Sequence, residues 1–261
     1  MNGSNRPVAL ITGASSGIGA ALAREFARHG HDLILSARSI APMEALAAEL
    51  RSGGTAVTIL AADLAQPGGA AALVEAIGSR EIEALVANAG LGAIAPFDRT
   101  APERIGEVMQ VNIVALTELT RLLAPGMASR RRGKIMLVAS TASFLPLPGM
   151  AVYSASKAYV RSFGEALAQE LRGSGVTVNV LCPGATATNF FKVAGGENTV
   201  MAKHLRHMMS ADNVARIGYR GLARGERVTI VGAKNRIFTL IARCTPRFIL
   251  LPVAARMLAE D

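Results

Sequence analysis

Seven short apolar runs, separated by longer stretches with helical periodicity, constrain the fold of this 261-residue chain more than any other feature. The runs that we predict to be strands are Val8–Thr12, Asp32–Ser36, Ala56–Ala61, Ala84–Asn88, Lys134–Ser140, Val176–Leu181 and Arg227–Val231. The helical stretches lie near residues 17–30, 42–52, 68–79, 102–128, 152–173 and 211–224. Most of the runs are apolar throughout, which is typical of strands in a sheet that is covered on both faces.

This alternation predicts an α/β fold in which a doubly wound, seven-stranded parallel sheet carries helices on both faces. No linker and no shift in composition divides the chain, so we expect a single domain over residues 1–235. Residues 236–261 are an apolar and basic C-terminal extension, which we expect to pack on the domain or at a subunit interface.

Composition excludes several classes of protein. The net charge is +9, but aromatic residues make up only 4% and Trp is absent, so the chain lacks a stacking platform and we expect no nucleic-acid partner. The two cysteines and four histidines lack metal-ligand spacing, which predicts no metal site, excludes a disulfide scaffold and fits a reducing compartment. The N-terminus lacks the pattern of a signal peptide, and we expect a cytoplasmic protein.

A glycine-rich turn connects the first predicted strand to the first predicted helix, with the sequence Thr12-Gly13-Ala14-Ser15-Ser16-Gly17-Ile18-Gly19. Glycines let the backbone approach a phosphate, and free N–H groups at a helix N-terminus bind it. A tight turn also needs glycine for steric reasons alone. The position between a buried strand and a helix nevertheless favours a dinucleotide site, although the spacing is G-x-x-x-G-x-G rather than G-x-G-x-x-G.

The end of the second predicted strand indicates which dinucleotide would bind. A carboxylate at this point would hold the ribose 2′-hydroxyl of NAD. Here the strand continues into Ala37-Arg38-Ser39 without one, and an arginine can pair with a 2′-phosphate through two hydrogen bonds. The alternative is that Arg38 only caps a strand end. We favour NADP over NAD.

Tyr153 and Lys157 lie four residues apart on one face of a predicted helix. A neighbouring ammonium favours the phenolate and lowers a tyrosine pKa from near 10 towards the range useful for proton transfer. Ser140 ends the fifth predicted strand and can stabilise developing negative charge on a substrate oxygen. Alone, a Tyr-x-x-x-Lys spacing can also be a solvated pair.

Five motifs occur together and in order on the expected elements: Thr12–Gly19, Asn88-Ala89-Gly90, Ser140, Tyr153–Lys157 and Pro183-Gly184. In this combination the chain resembles the short-chain dehydrogenase/reductase family in its single-domain, NADP-preferring form. The resemblance covers about residues 7–232 and implies a Rossmann-type fold, a nicotinamide cofactor and hydride transfer at a carbonyl or alcohol carbon.

The resemblance implies roles for individual residues. Cofactor binding falls to Gly13, Ser15, Ser16, Gly17, Ile18, Gly19, Arg38, Ser39, Asp63, Leu64, Asn88, Ala89, Gly90, Tyr153, Lys157, Pro183, Gly184, Thr186 and Thr188. Catalysis falls to four residues: Asn112 would position a water near the lysine, Ser140 would orient the carbonyl, Tyr153 would transfer the proton and Lys157 would lower the tyrosine pKa. No member of this set is missing.

We expect an NADP(H)-dependent oxidoreductase that reduces an apolar ketone or aldehyde. Segment Asn189–Ser210 supplies the apolar side chains Phe190, Phe191, Val193, Val200, Met201, Leu205, Met208 and Met209, which suit such a substrate or form ordinary helix packing. The same segment carries Lys192, Lys203, His204, Arg206 and His207, which could meet a carrier phosphate. A 3-oxoacyl-thioester reductase is therefore the alternative, and an NADP-binding sensor is the alternative from another class.

The C-terminal extension is rich in large apolar residues that the seven-stranded sheet does not need, and arginines interrupt them. Such a surface marks an interaction site. The family that the chain resembles implies a homodimer or homotetramer, so we expect subunits to pack through this surface. Peripheral contact with an anionic lipid surface is the rival expectation. Pro246 and Pro252 break the segment, which excludes a transmembrane span there.

Overall fold

Parallel strands form the central sheet of the computed structural model, which describes residues 6–196, Thr199 and residues 208–257. The strands of this sheet are β1 (Val8–Thr12), β2 (Asp32–Ala37), β3 (Val57–Ala61), β4 (Ile82–Ala87), β5 (Gly133–Val138), β6 (Val176–Cys182) and β9 (Val228–Ile230), and a separate pair consists of β7 (Thr186–Ala187) and β8 (Met209–Ser210). The predicted seven-stranded parallel sheet is confirmed, with strand bounds that differ from the sequence prediction by one or two residues.

Ten α-helices lie in the described ranges: α1 (Gly17–Arg28), α2 (Ile40–Ser52), α3 (Gly69–Ile77), α4 (Pro102–Met109), α5 (Leu116–Ser129), α6 (Ala151–Glu170), α7 (Phe190–Val193), α8 (Ala211–Ala223), α9 (Ala233–Cys244) and α10 (Arg247–Met257). A π-helical turn, Gln110–Ala115, joins α4 to α5 within the stretch predicted as one helix. Across the described residues, no helix has both the length and the apolar content needed to cross a membrane.

Each central strand sends alternate side chains into two separate apolar layers. In β1, Leu10 packs among residues of α3, α5 and α6, whereas Ala9 and Ile11 pack on the other face among residues of α1, α2 and α8. Because both faces are covered by helices, most positions of both alternating sets are apolar. This explains why the strands are continuous apolar runs in the sequence.

The order of the sheet is β3-β2-β1-β4-β5-β6-β9, so successive crossovers run outward in opposite directions from the boundary between β1 and β4. In an open parallel sheet, a crevice forms at this point outside the carboxyl ends of the strands. The glycine-rich turn after β1 and the Asn88-Ala89-Gly90 motif after β4 therefore lie at the same edge. The topology alone places the predicted site there.

The C-terminal extension folds into α9 and α10 and packs beside this edge. Ala242 of α9 and Leu250 and Ala254 of α10 are buried in a third apolar cluster. The cluster also contains Leu145 and Leu147, which follow β5. The extension therefore closes one end of the crevice instead of extending the sheet.

The packing of α6 against the sheet yields a prediction about stability. A Cβ at Gly164 in α6 would overlap the Val180 Cγ2 methyl and lie 3.0 Å from Leu137 Cδ1. We expect Gly164→Ala to lower the free energy of unfolding by about 1–3 kcal/mol because the helix must move away from the sheet. Denaturant unfolding followed by circular dichroism measures this change.

Gly106→Ala is the matched control, since Gly106 is an exposed glycine in α4 with no atom near the position of an added Cβ. There the same substitution should raise the free energy of unfolding by about 0.4–1 kcal/mol, because only helix propensity and chain entropy change. Equal effects of the two substitutions would show that α6 does not pack closely on the sheet.

Candidate active site

A cleft of about 1,040 Å³ lies at the carboxyl edge of the sheet, at the boundary between β1 and β4. All nineteen residues predicted to bind the cofactor line this cleft, as does Ser140. Asn112 is the exception among the predicted site residues, because its side chain is fully buried behind the cleft wall. The structure thus brings together residues that are up to 175 positions apart in the chain, from Gly13 to Thr188.

The glycine-rich turn needs its glycines for backbone geometry. Gly13 and Gly17 have φ angles of 66° and 55°, in the left-handed region that residues with a Cβ rarely adopt. Gly19 has an ordinary φ, but a Cβ there would overlap the carbonyl oxygen of Gly13. The turn can therefore lie close against the start of α1, leaving its outer side open to the cleft.

The start of α1 has the properties of an anion site. The Ser16 side chain makes no capping hydrogen bond, and the first turn of the helix contains no acidic residue. The first N–H groups of a helix have no partner within it and carry the positive end of its dipole. The backbone of Gly17, Ile18 and Gly19 lines the cleft at this point, and this arrangement fits the pyrophosphate of a dinucleotide.

Two charged residues lie where the adenosine half of a dinucleotide would extend. Arg38 is exposed at the cleft rim after β2 and forms no ion pair or hydrogen bond with any residue that the structure describes. Asp63 follows β3, and its carboxylate accepts hydrogen bonds from the Ala65 N–H at 3.1 Å and the Gln66 side chain at 3.3 Å. Ser39 begins α2 without a side-chain capping bond, so its hydroxyl is available at the same rim.

Ser140, Tyr153 and Lys157 converge on the middle of the cleft. Ser140 lies two residues beyond β5, where its hydroxyl accepts a hydrogen bond from the Ala142 N–H at 3.1 Å and starts a 3-10 turn, Thr141–Phe144. Tyr153 and Lys157 lie one turn apart in α6, and the Lys157 Nζ is 5.8 Å from the centre of the Tyr153 ring. The Lys157 ammonium donates to the Val138 carbonyl at 2.9 Å, which fixes its position at the end of β5.

Burial shifts the pKa values of both groups. It raises the pKa of Tyr153 to about 12, against the opposing effect of a hydrogen bond with Ser140. Burial also lowers the pKa of Lys157 to about 8, because the ammonium is only 4% exposed. In the protein alone the pKa of Tyr153 is therefore raised, because loss of hydration outweighs the hydrogen bond with Ser140. A lowering of this pKa by Lys157 stays a prediction.

Asn112 lies in the π-helical turn and connects the segment after β4 to α6. Its side chain accepts a hydrogen bond from the Leu91 N–H at 2.8 Å and donates to the Leu91 carbonyl and the Ser156 hydroxyl, both at 2.9 Å. Ser156 is the residue before Lys157. Asn112 therefore ties the Leu91 backbone to the Ser156 side chain, next to the lysine, and π-helical turns are common at functional sites.

The far end of the cleft is apolar. Leu145, Leu147 and Met150, which connect the 3-10 turn to α6, line it together with Phe190 and Phe238. The Phe190 ring lies 5.1 Å from the Tyr153 ring, centre to centre. The sequence analysis did not assign Leu145, Leu147, Met150 or Phe238 to the site. The run of alternating apolar residues and prolines at 144–150 was the available signal for that loop.

Pro183, Gly184, Thr186 and Thr188, which follow β6, form a further part of the cleft wall. The Thr186 hydroxyl donates to the Gly184 carbonyl at 2.9 Å, while the Asn235 side chain of α9 fills the space beside Gly184. Of the apolar and basic residues predicted to cover the cleft, Phe190, Phe191, Val193, Met208 and Met209 line it. Val200, Met201, Lys203, His204, Leu205, Arg206 and His207 lie outside the described residues.

Comparison with known proteins identifies relatives of this chain. Residues 7–198 match the short chain dehydrogenase family. An uncharacterized oxidoreductase of Myxococcus xanthus is 32% identical over 96% of both chains. A very-long-chain 3-oxoacyl-CoA reductase of Pyrenophora tritici-repentis is also 32% identical, over 85% of this chain and 66% of the reductase, so the chain spans only about two thirds of that relative.

Solved structures show the same similarity. A short-chain dehydrogenase from Sphingobium yanoikuyae in complex with NADPH is 37% identical, with a TM-score of 0.81 over 90% of this chain and 92% of that chain. A bulky-bulky ketone specific alcohol dehydrogenase from Comamonas testosteroni is 32% identical, with a TM-score of 0.78 over 92% and 93%. A Burkholderia phymatum short-chain dehydrogenase/reductase in complex with NAD is 25% identical, with a TM-score of 0.82 over 92% and 94%.

The family match extends from β1 to the loop after α7 and includes the glycine-rich turn and the Tyr153–Lys157 motif. The structural similarity to the Sphingobium dehydrogenase covers nine tenths of the chain. The chain therefore belongs to the short-chain dehydrogenase/reductase family of oxidoreductases.

Proposed function

We propose that this chain is an NADP(H)-dependent oxidoreductase that reduces the carbonyl group of an apolar ketone or aldehyde. The observation that carries the proposal is the convergence of Ser140, Tyr153 and Lys157 between a glycine-rich anion site and an apolar wall. A polar reaction centre with apolar surroundings on the substrate side suits a carbonyl with hydrophobic substituents.

The residues fit a nicotinamide dinucleotide, with the start of α1 holding the pyrophosphate and Pro183, Gly184, Thr186 and Thr188 beside the nicotinamide. When bound, NADPH supplies the hydride. Ser140 orients the substrate carbonyl by a hydrogen bond to its oxygen, and the Tyr153 hydroxyl donates the proton that this oxygen needs as it becomes an alcohol.

Lys157 supports this proton transfer through its charge. Donation of the proton leaves a phenolate on Tyr153, and a buried phenolate is unstable without a nearby cation. Lys157 is held in place by the Val138 carbonyl and by the Asn112 contacts around it, so its charge is available without rearrangement. Asn112 acts as a positioning residue, since it does not reach the cleft.

NADP is the proposed cofactor because of Arg38. The guanidinium lies at the cleft rim after β2 without a partner among the described residues, and the glycine-rich turn is on the neighbouring strand. A 2′-phosphate at this position would gain charge-assisted hydrogen bonds that the NAD hydroxyl cannot make. The NADPH complex of the Sphingobium relative supports this choice, while the Burkholderia relative binds NAD.

The substrate class rests on the apolar end of the cleft, formed by Leu145, Leu147, Met150, Phe190 and Phe238. The Comamonas alcohol dehydrogenase is specific for bulky-bulky ketones, which supports a large apolar ketone here. A 3-oxoacyl thioester is the second candidate, because the Pyrenophora relative reduces very-long-chain 3-oxoacyl-CoA and Lys234 at the cleft rim could meet an anionic carrier.

NADPH oxidation measured against bulky ketones, aldehydes and 3-oxoacyl thioesters tests the proposed function and separates the two substrate classes. We expect turnover of at least one class. Tight NADPH binding without turnover of any compound would contradict the proposal and favour the NADP-binding sensor, for which the Ser140, Tyr153 and Lys157 arrangement has no use.

We also propose that the protein is cytoplasmic and, as the family resemblance implies, a homodimer or homotetramer. Two observations support this proposal. Both cysteines are free thiols, which fits a reducing compartment. Met109, Val114, Leu122 and Tyr159 expose apolar surface along α4, the π-helical turn, α5 and α6, outside the cleft.

The role of Tyr153 can be tested with Tyr153→Phe, which removes only the hydroxyl. We expect turnover to fall by at least about 100-fold because proton donation is lost, while NADPH binding is retained. Steady-state kinetics and a fluorescence titration with NADPH measure the two effects. Tyr159→Phe is the control, since it makes the same change in α6 away from the cleft. Similar turnover of the two variants would refute the assignment.

Arg38→Ala tests cofactor choice. Losing charge-assisted hydrogen bonds should weaken NADPH binding by about 10- to 100-fold and leave NADH binding almost unchanged. Calorimetric titration of both cofactors measures this, with Arg80→Ala as a control at an exposed arginine outside the cleft. If NADPH and NADH weaken equally, Arg38 supports the fold and does not select the cofactor.

The lowered pKa of Lys157 predicts how stability depends on pH. Between about 8 in the folded state and 10.5 in the unfolded state, the unfolded chain binds more protons at this site, so the free energy of unfolding rises with pH. Relative to that of Lys157→Met, the free energy of unfolding of the cofactor-free protein should rise by about 1 kcal/mol between pH 8 and 9. Denaturant unfolding of both proteins across this range measures the difference. A constant difference would show that the lysine pKa is not lowered.

A further inference from the structure

The outer surface of the C-terminal extension is apolar and exposed. On α9, Ile237, Leu240 and Ile241 are 61%, 62% and 58% exposed, and their spacing of three and four residues places them on one side of the helix. On α10, Phe248 is 78% exposed and Val253 is 53% exposed. We call these five residues the tail face.

The tail-face residues are exposed although other residues of both helices are anchored in the fold. Thr239 and Ala242 of α9 are buried, as are Leu250 and Ala254 of α10. Ala242, Leu250 and Ala254 pack in the cluster around Leu145 that closes the cleft. The extension is therefore a docked element of the fold, and its outer apolar side chains have no partner among the described residues.

The charged residues of α9 and α10 are all positive. Exposed cations accompany the apolar residues along both helices: Lys234, Arg236, Arg243, Arg247 and Arg256. No acidic residue occurs in the sequence between Glu226 and Glu260. At 100° per residue, Arg236 and Arg243 lie along one edge of the apolar stripe on α9 and Lys234 along the other. Apolar side chains flanked by cations match the interface between acyl chains and anionic headgroups.

The same charges disfavour a second copy of the chain as the occupant. In a two-fold symmetric contact, the same patch faces itself, so arginines of one tail face would meet arginines of the other with no carboxylate between them. Buried like charges of this kind are costly. Subunit packing through this surface, the leading expectation from the sequence, is therefore the less favoured use.

We propose that the tail face is a docking site for an anionic lipid surface. Helices α9 and α10 contain 12 and 11 residues, so they are too short to span a bilayer and would lie in its plane with the apolar side chains inserted among the headgroups. Phe238, on the inner side of α9, lines the cleft. Docking would place the apolar end of the cleft next to the lipid, from which a hydrophobic substrate could enter.

Co-sedimentation with vesicles tests this proposal. We expect the full-length protein to bind vesicles that contain phosphatidylglycerol more tightly than vesicles of phosphatidylcholine alone, and to lose affinity as salt rises. Two double variants should each weaken binding to the anionic vesicles by at least about tenfold. One combines Leu240→Ser with Ile241→Ser, and the other combines Arg243→Glu with Arg247→Glu. Phe97→Ser and Arg80→Glu are controls at exposed sites elsewhere and should bind like the unaltered protein.

Cys244 provides a second measurement, since it is exposed on the same side of α9 and Cys182 is buried. The emission of an environment-sensitive fluorophore on Cys244 should shift to shorter wavelength when the protein binds anionic vesicles.

Absence of vesicle binding, or equal binding by tail-face and control variants, would overturn the proposal. A loss of oligomeric mass in the Leu240→Ser and Ile241→Ser variant, measured by light scattering, would instead assign the surface to subunit packing. Vesicle binding requires no turnover, so its failure is distinct from failure of the proposed oxidoreductase activity.

Discussion

The hydroxyl of Thr12 holds together the point on which the rest of the site depends. It accepts hydrogen bonds from the Asn88 and Ala89 N–H groups, both at 3.1 Å, while the Asn88 side chain donates to the Thr12 carbonyl at 2.9 Å. These bonds join the ends of β1 and β4 at the boundary where the strand order reverses. The bonds thereby fix the glycine-rich turn after β1 relative to the Asn88-Ala89-Gly90 segment after β4. The crevice between these two segments keeps its shape as a result.

The proposed reaction centre combines two side chains whose charged forms are destabilised by burial in the protein alone. Burial disfavours both the Lys157 ammonium and the Tyr153 phenolate, which is visible in the opposite shifts of their pKa values. The surrounding fold offsets this cost through the Val138 carbonyl and the Asn112 contacts. Burying the Lys157 ammonium lowers the stability of the fold, but it places a positive charge where the proposed proton transfer needs it.

The sheet and the cofactor side of the cleft could be predicted from the sequence because local signals specify them. Buried strands are continuous apolar runs, and the Gly13–Gly19 turn has a spacing that few other structures need. The π-helical turn around Asn112 leaves no such signal, since it depends on contacts with Leu91 and Ser156. The Leu145–Met150 wall and the docking of α9 depend in the same way on residues that are distant in the chain. The substrate side is therefore the part that required the structure.

In the proposed reaction, the cleft transfers a hydride from NADPH to a carbonyl carbon while Tyr153 supplies the proton. The most direct measurement uses NADPH carrying deuterium at the transferred position, with mass spectrometry of the alcohol formed from a ketone that the protein turns over. We predict one deuterium bound to the carbinol carbon that does not exchange with water. An alcohol without carbon-bound deuterium would contradict the account.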